Sequence, residues 1–139
     1  MLVLDSNEFI FALGLLPKPS CHQLLNVLLS RAPRHAVRLP RTIVQEVLRH
    51  LTPEGSREFF QVIRALGQID EDEVVPFEIG NKYEARGFKA ADAFIAAYGE
   101  WVGAEILITE NRHFLSRQAA LPFRVMTARA FLDQGILAP

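Results

Sequence analysis

The sequence contains little cysteine, no excess of charge of either sign and no long apolar run. Its one cysteine, Cys21, cannot form a disulfide within the chain, which favours a reducing compartment. The formal net charge of -1 excludes the overall basic field of many nucleic-acid-binding domains, although a local basic rim remains possible. No apolar run approaches the ~20 residues of a membrane-spanning helix. Met1 runs into Asp5 without the features of a signal peptide. We therefore expect a cytoplasmic protein that does not contact a membrane.

Several motifs of well-known enzymes and metal proteins are also absent. The sequence has no Gly-x-Ser-x-Gly elbow, P-loop or Gly-x-Gly-x-x-Gly turn. The histidines do not show zinc-ligand spacing, and with a single cysteine they do not predict a structural zinc site; they are His22, His35, His50 and His113. The carboxylates therefore remain as candidate functional groups.

The composition and pattern of the chain predict one α/β domain over residues 1–139. Half of the residues are hydrophobic and 22% are charged, which is typical of a globular domain. Short apolar segments, which we interpret as strands, alternate with segments of helical periodicity. The predicted strands are 2–4, 36–39, 74–77, 105–109 and 123–126. The predicted helices are 20–31, 42–50, one from 53 through 66, 78–86, 89–99, 111–118 and 127–134. This alternation indicates a parallel sheet that is covered on both faces.

Four polar residues, Asp5, Glu46, Asp92 and Asn111, each lie where a predicted strand ends or a predicted helix begins. Such positions share the carboxyl edge of a parallel sheet, where ligands bind in open α/β folds. Three carboxylates and an amide that converge there would form a strongly negative volume. A hard divalent cation, Mg²⁺ or Mn²⁺, is the usual ligand of such a volume.

Two of these acids also have simpler interpretations. Glu46, placed early in its helix, could merely complement the helix dipole at the surface. Asp92 lies among small and apolar residues, where an ionised carboxylate needs a partner. That partner could be Lys89, one turn earlier, instead of a metal ion.

The segment after the predicted strand 105–109 leaves a similar choice. Asn111 could offer its carbonyl oxygen to a cation, or Thr109 and Asn111 could be ordinary turn and cap residues. Glu110 is a rival ligand, but in extended geometry its side chain should point away from Thr109 and Asn111.

The same residues carry a resemblance to the PIN domain family of metal-dependent ribonucleases, which includes VapC-type toxins. The opening Leu2–Asn7 resembles the family's hydrophobic strand followed by Asp-(Thr/Ser)-Asn. The segment 44–47 is similar to the one that carries the second acid, and 89–96 to the helix of the third acid. The segment 107–114 resembles the closing motif of strand, Thr, variable residue, Asp or Asn, and a following Phe. The order, spacing and flanking residues agree along nearly the whole chain.

The resemblance implies a three-layer α/β/α sandwich around a mostly parallel sheet of four to five strands. It also implies Mg²⁺ or Mn²⁺ at the acidic cluster and endonucleolytic cleavage of RNA, with Asp5, Glu46 and Asp92 as the core acids. Asn111 matches a fourth position that is Asp in many members, and His113 stands where some members carry a further acid. In the same comparison, Ser6 would support the site with its hydroxyl and Asn7 would brace the loop.

The resemblance also implies partners. VapC-like toxins form homodimers and are inhibited by a small antitoxin, so we expect an antitoxin and a second copy of the chain as partners. Basic residues near the four positions could bind RNA, or could be solvated surface charges; they are Arg41, Arg49, Lys89, Arg112 and Arg117. The apolar residues Phe59, Phe60, Val62 and Ile63 could belong to the core or to an interface. The alternative function is a PIN-like module that binds RNA or protein without cleaving RNA.

Overall fold

The protein is built around a five-stranded parallel sheet. A computed structural model describes residues 1–33 and 36–136. The strands are β1 (Leu2–Leu4), β2 (Val37–Pro40), β3 (Gly67–Asp70), β4 (Ile106–Ile108) and β5 (Arg124–Met126), in the order β3-β2-β1-β4-β5. All neighbouring strands are parallel, and β1 pairs with β4 in the register Leu2 to Ile106 through Leu4 to Ile108. The predicted α/β fold is therefore confirmed.

Helices connect successive strands, because parallel neighbours require a crossover. They are α1 (Ser6–Leu13), α2 (Pro19–Arg31), α3 (Arg41–Arg49), α4 (Pro53–Leu66), α5 (Phe77–Ala85), α6 (Ala90–Val102), α7 (Arg112–Ser116) and α8 (Ala128–Asp133). Two short 3₁₀ helices occupy Asp72–Val74 and Gln118–Ala120. None of the helices in the described part of the chain combines the length and the apolar character needed to span a bilayer.

The central strands are covered on both faces. Every residue of β1 and β4 is buried, although successive side chains of a strand point to opposite faces. Helices α1 to α4 and α8 contact one another in one group, and α5 packs against α6. Phe59 and Ile63 of α4 are buried in the core, whereas Phe60 and Val62 are half-buried against it. The apolar face of α4 is therefore mainly a core face.

The order of the strands creates a crevice at one point of the sheet. From β1 the chain proceeds outward to β2 and β3, then returns to place β4 on the other side of β1. A sheet of this kind has its topological switch point between β1 and β4, and ligands bind beyond the carboxyl ends of the strands there. Asp5 directly follows β1, and Thr109 directly follows β4.

The predicted strand at 74–77 is wrong. The third strand is Gly67–Asp70, whose register with β2 runs from Val37 to Gly67 through Pro40 to Asp70. This edge strand carries one apolar side chain, Ile69, so it lacks the apolar run that marks a central strand. A β-carbon on Gly67 would lie 1.7 Å from the carbonyl oxygen of Val37, so only glycine fits there. Asp70, the last residue of the strand, accepts hydrogen bonds from Nε and Nη2 of Arg38.

Helix starts also differ from the prediction. Helix α1 was not predicted at all; Asp5 is its N-cap and accepts a hydrogen bond from the Ser6 backbone N–H. Helix α2 begins at Pro19, one residue before the predicted start at 20, with Lys18 as N-cap. Helix α3 begins at Arg41, one residue before the predicted start at 42, with Pro40 as N-cap, so the Thr42 side chain does not cap it. The Thr42 hydroxyl and backbone N–H instead donate to the carboxylate of Asp72.

Candidate metal centre

Asp5 is fixed in position by hydrogen bonds from both sides of the switch point. Its Oδ1 accepts from the Ser6 backbone N–H at 2.8 Å, and its Oδ2 accepts from the Thr109 hydroxyl at 2.6 Å. Thr109 is fully buried, and its hydroxyl oxygen also accepts from the Asn111 backbone N–H at 3.0 Å. One hydroxyl therefore ties the segment after β4 to the acid that follows β1.

The electrostatic environment of Asp5 brings two further acids into the same region. The pKa of the Asp5 carboxyl is raised, first by burial and then by the negative charges of Glu46 and Asp92. The hydrogen bonds from Thr109 and Ser6 lower this pKa but do not cancel the rise. Glu46 and Asp92 therefore lie near enough for their charges to act on Asp5, although they are 41 and 87 positions away in the numbering of the chain.

Glu46 and Asp92 occupy less buried positions than the sequence suggested. Glu46 is exposed and lies in the second half of α3, so a role as N-terminal dipole partner does not apply. Asp92 is half-buried and lies in the first turn of α6, near the start of the helix as predicted. In residues 1–33 and 36–136, neither carboxylate forms an ion pair, and Lys89 is the N-cap of α6 without a salt bridge to Asp92.

The side chains of Asn111 and Glu110 form different hydrogen bonds. The Asn111 side-chain oxygen accepts from the His113 backbone N–H at 2.9 Å, so Asn111 is the N-cap of α7. This capping leaves the oxygen its second lone pair for another partner. The Glu110 carboxylate accepts from the Ala128 backbone N–H at 3.1 Å and lies with Glu8, so this rival ligand is engaged elsewhere.

The donor set at Asp5 fits a hard cation. The predicted set of Asp5, Glu46, Asp92 and Asn111 offers three carboxylates and an amide, which are all oxygen donors. Within the described part of the chain, no lysine or arginine forms an ion pair with Asp5, Glu46 or Asp92. Clustered carboxylates that lack a cationic partner repel one another, and a bound divalent ion would reverse that repulsion. Metal binding by these four residues stays a prediction.

The predicted basic residues are engaged to different degrees. Arg41 donates to the exposed Glu71 carboxylate at 2.8 Å, and the Arg117 guanidinium lies over the Phe88 ring at 5.2 Å. A small cavity of about 80 Å³ is lined by Lys89, Asp92, His113 and Arg117, together with Gly87 and Phe88. This cavity places basic side chains directly beside one of the predicted site acids.

A second buried cluster was missed by sequence reasoning. Glu8 of α1 is fully buried, and it lies with Cys21 of α2 and with Glu110. The signal was a lone acid in the otherwise apolar segment that follows Asn7, but this segment was not recognised as a helix. The pKa of Glu8 is raised to about 10, mainly by burial and then by Glu110. Glu8 is therefore protonated at neutral pH in the metal-free protein.

This raised pKa predicts a pH-dependent stability. Between about pH 4.5 and pH 10 folded Glu8 keeps a proton that the unfolded chain releases. Stability should therefore fall as pH rises, by up to about 1.4 kcal/mol per pH unit. Glu8→Gln should flatten this slope and stabilise the protein at pH 8. Urea unfolding in EDTA at pH 6 and pH 9 measures the free energy of unfolding of the wild type and of Glu8→Gln. An equal change of this free energy with pH in the two proteins would contradict the prediction.

Comparisons with known proteins are limited to structures. No family model and no curated protein matches the sequence. The architecture is nevertheless that of a PIN-like, VapC-like fold, as the sequence resemblance predicted. One solved structure that shares it is FitAcB from Neisseria gonorrhoeae. It is 20% identical, with a TM-score of 0.58, over 93% of this chain and 99% of that chain.

A second similar structure is VapBC2 from Rickettsia felis, solved bound to a DNA fragment from their promoter. It is 18% identical, with a TM-score of 0.58, over 90% of this chain and 96% of that chain. At these identities the likeness shows the fold alone. What the site does has to be argued from its residues.

Proposed function

We propose that this protein is an Mg²⁺- or Mn²⁺-dependent endoribonuclease with its site at Asp5, Glu46, Asp92 and Asn111. The observation that carries the proposal is the convergence of charge at the switch point. Asp5 is fixed between β1 and β4, and the charges of Glu46 and Asp92 act on it from two different helices. Cleavage of RNA is the reaction that the resemblance to PIN domains implies, and the PIN-like fold supports this assignment.

Asp5, Glu46 and Asp92 would hold the cation through their carboxylates, with the Asn111 carbonyl oxygen as a fourth donor. When bound, the cation would supply Lewis acidity, which makes water a stronger acid and stabilises negative charge on a phosphodiester. Because Asn111 adds no charge, the site has one negative charge fewer than a site of four acids. We therefore expect one tightly held cation.

The protein side chains would divide the remaining work according to their burial. Asp5 has both oxygens fixed, so it orients the site and does not move during the reaction. Asp92 is half-buried and Glu46 is exposed, so either can reach a water molecule and accept its proton during attack on phosphorus. The leaving oxygen of the RNA chain takes a proton in turn.

The flank of the cavity around Asp92 would bind the RNA backbone. Lys89 and Arg117 line this cavity and carry the positive charge that a phosphate requires. Arg41 is already paired with Glu71, so we expect it to contribute less than Lys89 and Arg117. Contacts of this kind attract RNA of any sequence, so affinity should fall as salt increases.

Incubation of the purified protein with structured RNA and Mn²⁺ tests the activity. We expect internal cleavage that stops when EDTA is added and resumes when excess Mn²⁺ is restored. Retained RNA binding without cleavage, across several RNAs, would favour the alternative of a non-cleaving PIN-like binding module.

We further propose that the protein acts in the cytoplasm as the toxin of a toxin–antitoxin pair, as one domain that forms homodimers. The similarity in fold to VapBC2 supports this part of the proposal. Exposed apolar side chains also favour coverage by a protein partner: Leu15 and Leu16 are each 83% exposed, and Phe77 is 80% exposed. Expression alone should arrest growth, whereas co-expression with the neighbouring small open reading frame should restore it. Unchanged growth on expression alone would contradict toxicity.

A further inference from the structure

The cluster of Glu8, Cys21 and Glu110 brings together three potential metal ligands from separate elements. One carboxylate oxygen from each glutamate and the sulfur of Cys21 all lie within 4.8 Å of one another. Helix α1 carries Glu8, helix α2 carries Cys21, and Glu110 lies between β4 and α7. The distance between the Cys21 sulfur and Glu8 Oε1 is 3.6 Å.

The contacts of Glu8 point independently to a missing ligand. Glu8 and Cys21 are both fully buried, and one carboxylate oxygen of Glu8 lies within the cluster. Its Oε2 is buried and has no hydrogen-bond partner among the residues that the structure describes. A buried carboxylate oxygen without a partner is costly, because it has lost water and gained nothing in exchange.

We propose that Glu8, Cys21 and Glu110 bind a borderline transition-metal cation, with Zn²⁺ as the physiological candidate. Two carboxylates and one thiolate suit Zn²⁺, whereas Mg²⁺ prefers oxygen ligands alone. Three protein ligands leave the fourth tetrahedral position for water, and the half-buried Glu110 marks the open side. On binding, the thiol releases its proton to solvent and the sulfur bonds to the metal.

This site shares no residue with the one proposed for catalysis, although the charge of Asp5 acts on Glu8. It does not depend on the ribonuclease proposal. The pattern of histidines did not predict zinc, because none of the three ligands is a histidine. A bound ion would link α1, α2 and the segment after β4, which is the framework that positions Asp5 and Thr109. We therefore expect zinc to stabilise the fold and not to take part in hydrolysis.

Cobalt and zinc titrations of the EDTA-treated full-length protein test the proposal. Co²⁺ should bind at one equivalent and produce the charge-transfer absorption of a thiolate–cobalt bond. Zn²⁺ at 100 times its dissociation constant should raise the melting temperature by about 8 °C. Cys21→Ala should abolish the charge-transfer absorption, and Glu8→Gln should weaken Co²⁺ binding by at least about tenfold.

The matched control is Asp92→Asn, which alters the other site. It should lose Mn²⁺ affinity and keep the cobalt absorption, whereas Cys21→Ala should do the reverse. The proposal is overturned if wild-type protein gives no charge-transfer absorption, or if Cys21→Ala leaves that absorption unchanged. It is also overturned if Zn²⁺ raises the melting temperature of Glu8→Gln and wild type equally. In that case Glu8 merely shares a proton with Glu110.

Discussion

Asp5→Asn should reduce RNA cleavage by about 10²- to 10³-fold and leave the fold intact, a loss like that caused by removing one electrostatic group from an active site. Asparagine keeps the size of the side chain but removes the charge that holds the cation. The stability should change by no more than about 1 kcal/mol, since burial already raises the pKa of this carboxyl and so opposes its ionisation. Cleavage kinetics at fixed Mn²⁺ and urea unfolding measure the two quantities on one protein preparation.

The control for this substitution is Asp133→Asn. Asp133 is exposed, and its carboxylate lies 3.9 Å from the Arg129 guanidinium, one turn earlier on α8. The Asp133→Asn variant should cleave RNA at the wild-type rate, because the same chemical change is made away from the switch point. Wild-type cleavage by Asp5→Asn would remove Asp5 from the site. A large loss of stability in Asp5→Asn would mean that the charge of Asp5 stabilises the folded protein.

Thr109→Val should destabilise the protein by about 3 kcal/mol, although it preserves the shape of the side chain. The hydroxyl donates to Asp5 Oδ2 and accepts from the Asn111 backbone N–H, and it is fully buried. Valine would remove the partner of the buried Asp5 Oδ2 and of the partly buried Asn111 N–H, at about 1–3 kcal/mol for each group. Urea denaturation of the metal-free protein measures this loss.

Thr109→Ser provides the comparison. Serine keeps both hydrogen bonds and removes one methyl group, so we expect a loss of about 1 kcal/mol. Equal losses for the serine and valine variants would show that packing of the methyl group, and not the hydroxyl, joins β4 to Asp5.

The sequence predicted the parts of the fold that burial dictates. Leu2–Leu4 and Ile106–Ile108 are continuous apolar segments because both faces of these central strands are covered, and that pattern is visible without a structure. The edge strand Gly67–Asp70 was missed for the opposite reason. Its residue Asp70 is paired with Arg38, which lies 32 positions away in the sequence, so a local pattern could not reveal this contact.

The candidate site residues were also chosen from the sequence, and their binding of a metal ion stays a prediction. The four positions could be chosen because strand ends share one edge of a parallel sheet. The hydrogen bond from Thr109 to Asp5 could not be predicted from the sequence, because it joins residues that are 104 positions apart. Glu8 was missed because Asp5-Ser6-Asn7 was interpreted as a turn. The following segment is apolar almost throughout, so it lacks the polar face that identifies a surface helix.

A crystal structure of the protein soaked with Mn²⁺ tests most directly whether Asp5, Glu46 and Asp92 bind one cation together. We expect one Mn²⁺ beyond the carboxyl ends of β1 and β4, with oxygens of Asp5, Glu46 and Asp92 at about 2.1 Å. The Asn111 carbonyl oxygen should contact the ion or a water molecule bound to it. Manganese bound elsewhere, with no carboxylate of these three acids among its ligands, would contradict the account.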